Sequence, residues 1–353
     1  MPRIRRAAVA LPLLLAGVSV PLTAAGPAGA VVTPSGVSQF SVNGSLSAIS
    51  ALTPTDAWAV GQTASQRPLI AHWNGTSWKQ VPSPDLPGYG LSGVEAISAT
   101  DAWAVGTWYS SNGPLDVILH WNGRSWKQVF GPNLAVSALA GIAGTSVSNI
   151  WAVGIPGIMH WNGRSWKQVP SPRITALRLT GVAAVSASDL WAVGVTGSKT
   201  LILHWNGRSW SRVRSPNPKS ATGPNSLNGV AVTSSGRAWA VGNTGSKTLI
   251  LHWNGKAWTQ VTSPSPKASV LNGVAVVSAH YAWAVGEAAL NTSRPTTLIA
   301  HWNGRHWVQV RSPNPATANW LAAVAATGTG NAWAVGSTGG KTLILHWNGK
   351  NWS

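Results

Sequence analysis

Residues 189–213, DLWAVGVTGSKTLILHWNGRSWSRV, decide the fold, because versions of this stretch recur seven times along the 353-residue chain. Each copy carries three tryptophans: one in a WAVG segment, one in an HWNG segment, and one five residues after the second. These series account for all but Trp108 and Trp320 of the 23 Trp residues. A period of about 40 to 50 residues is typical of propellers and solenoids.

Each copy is predicted to fold as four short antiparallel strands. In the fourth copy these strands are 179–186, 190–194, 200–205 and 209–213. Asn206-Gly207, between the last two, predicts a two-residue type I′ hairpin, which needs φ > 0 at both residues. The SPNP segment 215–218 then predicts the end of strand pairing, since proline has no N–H to donate.

Four-stranded antiparallel units at this spacing predict an all-β, seven-bladed β-propeller. The predicted blades are 46–82, 91–130, 139–170, 179–214, 227–262, 271–311 and 321–353. We expect residues 37–42 to complete the outer strand of the seventh blade, which the chain only begins at Trp352 and Ser353. A ring closed by this N-terminal strand leaves no exposed strand edge. The third residue of each first strand is Gly or Ala, which predicts crowding near the axis.

Residues 1–30 have the features of a secretory signal peptide. Arg3, Arg5 and Arg6 precede an apolar run at 7–20, and Ala-Gly-Ala at 28–30 offers a cleavage site. We therefore expect a secreted protein, or one loosely associated with a cell wall, whose residues 31–353 form a single propeller domain. No run is long and apolar enough to predict a membrane span. The chain has no Cys, so stability must come from packing, and a monomer is expected.

The repeated pattern WAVG…ILHWNGxSW resembles the BNR or Asp-box class of propeller repeats, which includes sialidases and photosystem assembly factors. It is also similar to the repeats of secreted bacterial proteins described as galactose-oxidase-like or kelch-like. In this chain the Asp of the box is replaced by Asn74, Asn122, Asn162, Asn206, Asn254, Asn303 and Asn348, and the turn is one residue shorter. The resemblance therefore implies the blade and carries over no active site.

The charge of the chain is strongly positive. The formal net charge is +18, and removal of the three arginines of the leader leaves 18 − 3 = +15. One set of cations follows the Asn-Gly turns: Arg124, Arg164, Arg208, Lys256, Arg305 and Lys350. A second set precedes the third strands and supplies the candidate anion-binding residues: Arg67, Lys199, Lys247 and Lys341. These cations predict either a charged, soluble surface or repeated contacts with an anionic polymer. No module for specific nucleic-acid recognition is present.

The histidine of each HWNG segment is predicted to be structural. One histidine per blade forms a wide ring, whereas a metal ion needs several ligands that converge on it. We expect no metal and no other cofactor. Asp56, Asp101 and Asp189 precede the second strands, where Asp is expected to cap a turn through its own backbone.

Few acidic residues are available for catalysis. Glu95 is the one acid on a predicted inner strand and is a weak catalytic candidate. Glycoside hydrolysis usually needs two carboxylates. The resemblance to sialidases implies an Arg triad on inner strands, and no predicted inner strand holds an Arg. The galactose oxidase cofactor needs a Tyr–Cys crosslink, which a chain without Cys cannot form. Enzymatic activity is therefore disfavoured.

Aromatic residues outside the repeat are the candidate ligand contacts: Trp108, Tyr109, Tyr89 and Trp320. They fall in segments that open on one face of the propeller. The sequence therefore favours a non-catalytic binding or scaffold protein that recognises carbohydrate or an anionic surface polymer on this face. The alternatives are a polysaccharide-acting hydrolase or lyase and a platform for a protein partner. Loops 214–226 and 287–295 are expected to shape specificity.

Overall fold

The computed structural model describes residues 7–8, 40–110, 113–132, 138–155, 157–220, 222–233 and 236–353. These residues form seven antiparallel sheets, one for each repeat, arranged as a ring. The predicted all-β, seven-bladed propeller is thereby confirmed. The first strands of neighbouring blades lie side by side around the axis, so strands are numbered first to fourth from the centre outward.

The first four blades each have four regular strands. In blade one they are Gly44–Thr53, Asp56–Thr63, Pro68–Trp73 and Trp78–Gln80. In blade two they are Tyr89–Ser98, Asp101–Ser110, Gly113–Trp121 and Trp126–Gln128. In blade three they are Ala138–Ser146, Asn149–Ile155, Ile158–Trp161 and Trp166–Val169. In blade four they are Leu177–Ser186, Asp189–Thr196, Lys199–Trp205 and Trp210–Val213.

The last three blades follow the same order. In blade five the strands are Asn225–Val232, Ala238–Thr244, Lys247–Trp253 and Trp258–Val261. In blade six they are Val270–Ser278, Tyr281–Ala288, Thr296–Trp302 and Trp307–Val310. In blade seven they are Asn319–Gly328, Asn331–Thr338 and Lys341–Trp347. One further two-residue strand, Ala7–Ala8, pairs with the first strand of blade four. The rest of the predicted signal peptide lies outside the described residues.

Both ends of the chain fill the fourth-strand position of blade seven. Ser353 and His346 exchange backbone hydrogen bonds of 2.9 and 3.0 Å, which begins the outer strand. Further along the same third strand, Thr342 N donates to Val42 O at 2.9 Å. The N-terminal segment therefore continues the strand that the C-terminus begins, as the fold prediction required. Three residues of the predicted closing segment 37–42 lie outside the described part of the chain.

Close backbone contacts explain why glycine recurs near the axis. A Cβ atom on Gly194, the glycine of WAVG, would collide with the carbonyl oxygen of Arg178 beside a bulge in the first strand. Between blades, a Cβ atom on Gly141 would lie 3.3 Å from the Cα of Gly181. A side chain at Gly194 would force the two strands apart, whereas one at Gly141 would require the neighbouring blade to shift by a few tenths of an ångström. The predicted crowding of the first strands is confirmed.

The Asn-Gly turns differ from the predicted two-residue type I′ hairpin. Trp205 pairs with Trp210, so the loop between them has four residues. Gly207 has φ +91°, whereas Asn206 is not among the residues with positive φ. Asn206 Oδ1 instead accepts hydrogen bonds of 3.0 Å from the backbone N–H of Arg208 and of Ser209. The Asn side chain thus closes the turn itself, which removes the need for a second residue with positive φ.

The repeated tryptophans pack between blades. Trp191 of blade four contacts Trp253 of blade five at a ring-centroid distance of 4.9 Å and meets Trp258 edge-on at 5.2 Å. The same arrangement closes the ring, where Trp333 of blade seven lies 4.9 Å from Trp73 of blade one. These clusters fill the wedge that opens between neighbouring blades away from the axis.

Candidate functional site

The propeller has two faces with different contents. The hairpin face carries the turns between first and second strands and the Asn-Gly turns. The loop face carries the loops between second and third strands and the connections from one blade to the next. All four candidate ligand contacts and the four candidate anion-binding residues fall on the loop face. The histidines and their partners lie towards the hairpin face.

The histidines of the HWNG segments are held by side chains of the second strand. His72 Nε2 lies 2.9 Å from Asp56 Oδ1, and its ring stacks on Trp58 at 4.2 Å. Asp189 and His204 make the same contact at 2.8 Å. The Asp residues that were predicted to cap turns instead hold a histidine. No group of three or more potential metal ligands occurs among the described residues.

In the blades without this Asp, burial disfavours the charged form of the histidine. Burial lowers the pKa of His160, His252, His301 and His346, and the charge of Arg237 adds to the effect at His252. Asn149 replaces the Asp in blade three and lies 2.8 Å from His160. A neutral imidazole packed on tryptophan supports the structure of the blade.

Glu95 occupies a blade interface. It pairs across strands with Trp103, so both side chains lie on the same face of the sheet. Trp103 packs against blade three, in contact with Trp161 and Trp166. Only 8% of Glu95 is exposed. The carboxylate therefore faces the neighbouring blade, where the other copies have small residues.

Two of the candidate ligand contacts meet on blade two. Tyr89, at the start of the first strand, pairs with Trp108, near the end of the second, and their rings lie 5.7 Å apart at 37°. Both side chains are half-buried. The indole N–H edge of Trp108 packs against Gly88, which has φ +86° and leaves no room for a Cβ atom. The side chain of Tyr109 lies outside the described part.

A carboxylate completes this aromatic group. Burial, followed by the negative charge of Asp116, raises the pKa of Tyr89. Asp116 lies on the third strand of blade two, with Oδ2 against Gly131. Phe130, the residue before Gly131, is 82% exposed. Sequence reasoning did not identify Asp116 as part of a site, since its nearness to Tyr89 depends on the extended hairpin of this blade.

Trp320 is not part of this group. It starts the first strand of blade seven, and blade one lies between it and Trp108. The acid on that side of the ring is Glu287 of blade six, whose pKa is raised by burial to about 7. Gln62 of blade one and Thr107 of blade two occupy the same position after WAVG, and each reaches the first strand of the next blade. By this equivalence, Glu287 lies towards the first strand of blade seven.

The candidate anion-binding residues fall into two groups. Arg67 forms an ion pair with Asp85 of the connection to blade two. Lys199, Lys247 and Lys341 are exposed and form no ion pair with a carboxylate of the described residues. The structure also corrects one expectation: the first strand of blade four begins at Leu177, so Arg178 lies on an inner strand. The sequence boundary at 179 had excluded it.

Comparison with solved structures supports the propeller. YCF48 bound to a D1 peptide matches with a TM-score of 0.59 and 16% identity, covering 86% of this chain and 93% of that chain. YCF48 from Cyanidioschyzon merolae matches with a TM-score of 0.61 and 14% identity, covering 88% and 97%. A GH74 xyloglucanase from Xanthomonas campestris matches with a TM-score of 0.57 and 15% identity, covering 88% of this chain and 53% of that chain.

No family model matches the chain, and no curated protein is significantly similar to it. At these identities the structural matches establish the fold. In the part of the chain that the structure describes, no helix has the length and hydropathy needed to cross a bilayer. The function therefore has to be inferred from the residues on the loop face.

Proposed function

We propose that the mature protein is a secreted, non-catalytic propeller that binds carbohydrate on its loop face, with Tyr89 and Trp108 as the aromatic contacts. The observation that carries this proposal is the tilted, half-buried pair at 5.7 Å, in which two aromatic residues outside the repeat meet beside a carboxylate. Sugar rings present C–H faces that pack on aromatic rings, and their hydroxyls donate to carboxylates.

The positions of the acids favour binding over hydrolysis. Asp56, Asp101 and Asp189 contact histidines on the hairpin face, and Asp85 is paired with Arg67. The remaining loop-face acids are Asp116 on blade two and Glu287 on blade six, with two blades between them. Glycosidases need two carboxyl groups about 5 to 9.5 Å apart.

The test is isothermal titration of the exported protein with cellohexaose, xylohexaose, chitohexaose and mannohexaose in high salt. We expect one of these neutral sugars to bind and Trp108→Ala to weaken it roughly thirtyfold, as for an aromatic hot spot worth about 2 kcal/mol. Trp320→Ala, a half-buried tryptophan elsewhere on the same face, is the matched control and should bind as the wild type does. The proposal fails if none of the four sugars binds, or if Trp108→Ala leaves the affinity unchanged.

A further inference from the structure

Charge is distributed very unevenly around the ring. Residues 131–286 contain 13 Lys and Arg and a single acid, Asp189, which gives 13 − 1 = +12. Residues 40–130 contain 4 Lys and Arg and 5 acids, a net charge of −1. Residues 287–353 contain 5 Lys and Arg and 1 acid, a net charge of +4. Most of the excess positive charge is therefore concentrated on blades three to five.

The loop face around blades four and five carries only cations. Asp189 lies on the hairpin face, where it holds His204. We call the following loop-face residues the cationic sector: Arg173, Arg178, Lys199, Lys219, Lys247 and Lys267. Arg178 is half-buried, and the other five are exposed. Among the described residues, none of the six forms an ion pair, so their field extends into solvent without local neutralisation.

The backbone beneath the sector is hydrogen-bonded to the following blade. Ser198 O, next to Lys199, accepts a hydrogen bond of 3.0 Å from Asn225 N of the next blade. Ser246 O, next to Lys247, accepts the same bond from Ser269 N at 3.0 Å. The two lysines thus occupy equivalent, fixed positions in neighbouring blades. Cations at equivalent positions of neighbouring blades favour a ligand with repeated anionic groups, because several weak contacts then add to a higher overall affinity.

We propose that the cationic sector binds a linear polyanion with phosphate or carboxylate groups. Single-stranded nucleic acid fits less well, because it is bound through base stacking and the sector contains no aromatic residue. A bilayer surface also fits less well, because the exposed large apolar residues of the described chain, Phe130 and Val147, belong to other blades. The sector is separate from Tyr89 and Trp108, so this inference stands or falls independently of carbohydrate binding.

The test is titration of the exported protein with inorganic polyphosphate and with polygalacturonate in low and high salt, with neutral dextran as the reference polymer and single-stranded DNA and anionic vesicles as the competing ligands. The diagnostic variant is Lys199→Glu/Lys247→Glu. The matched control is Arg208→Glu/Lys256→Glu, which makes the same charge change on exposed residues of the same two blades but on the hairpin face. Melting temperatures of both variants establish that they are folded.

We expect at least one polymer to bind in low salt and the loop-face variant to bind it about tenfold or more weakly, with a shallower salt dependence. The hairpin-face control should stay within about twofold of the wild type, and Trp108→Ala should have no effect. Binding of one polymer alone identifies phosphate or carboxylate as the ligand group. Equal weakening by both variants would show a response to net charge and would overturn the proposal. So would failure to bind either polymer, or tighter binding of single-stranded DNA or anionic vesicles.

Discussion

Two regions of the propeller follow the sevenfold repeat to very different degrees. One is the tryptophan layer, formed by the repeated tryptophans that pack between blades near the hairpin face, and the other is the loop face. In the tryptophan layer, Trp239 of blade five contacts Trp302 and Trp307 of blade six, and every other blade boundary repeats these contacts. On the loop face, one position of the first strand is Arg178 in blade four and Trp320 in blade seven. Packing between blades demands the same shape at each boundary, whereas the loop face has no such constraint. The layer therefore supports the ring, and the loop face is where we propose that recognition takes place.

The largest expected effect comes from breaking the tryptophan layer. Trp239 is 2% exposed, and Trp239→Ala should lower the free energy of unfolding by about 3–5 kcal/mol through the cavity left between blades five and six. Chemical denaturation of the purified variant measures this loss. Trp108→Ala is the comparison on the loop face, and its loss should be about 1 kcal/mol or less. Similar losses in the two variants would contradict the division between the regions.

An intermediate effect is expected at Glu287. Burial raises its pKa from 4.5 to about 7, so between these values the folded protein binds more protons than the unfolded chain. The stability that this group contributes is therefore fully present below pH 4.5 and is lost as pH rises through 7. Glu287→Gln should be more stable than the wild type by about 1–3 kcal/mol at pH 8 and nearly equal to it at pH 4.5.

Thermal unfolding of the wild type and Glu287→Gln across pH 4.5–8 measures this difference. Asp85→Asn, which alters an exposed carboxylate, is the control for a general effect of charge. A constant difference between wild type and Glu287→Gln over this range would contradict the assigned role of burial.

The smallest effect is expected at the histidines that pack on the repeated tryptophans, because their side-chain partner differs from blade to blade. The pKa of His160 is lowered by burial, so folding is weakened as pH falls below the ordinary histidine value of 6.5. Asn149→Asp should raise this pKa by giving His160 the partner that His204 has in Asp189. Between pH 5 and 6.5, the slope of the free energy of unfolding against pH should change by at most about 1.4 kcal/mol per pH unit, because a single proton is bound.

Histidine titration by NMR, together with unfolding at each pH, measures this change. Asp189→Asn is the reciprocal variant, because it replaces the carboxylate beside His204 with an amide. An unchanged pKa of His160 in Asn149→Asp would show that the carboxylate does not control the histidine.

Features set by neighbouring residues could be predicted from the sequence. The blade count, the closing N-terminal segment and the packing of the repeated Trp and His follow from period, strand length and residue size. The turn type could not be predicted from Asn206-Gly207, because an Asn side chain that accepts two backbone N–H groups competes with the type I′ backbone. Arg178 was missed because hydrogen bonding extends the first strand beyond its apolar run.

By itself, the sequence determined a seven-bladed ring with a tryptophan core and a strongly basic surface. Only the tertiary structure decided which charged groups meet and which remain in solvent. It paired Arg67 with Asp85, turned Glu95 towards blade three and left Lys199 and Lys247 on a sector of the loop face that has no acidic residue. The reason is physical: a strand pattern is set by residues close in sequence, whereas the electrostatics of a face depend on loops from different blades that only the closed ring brings together.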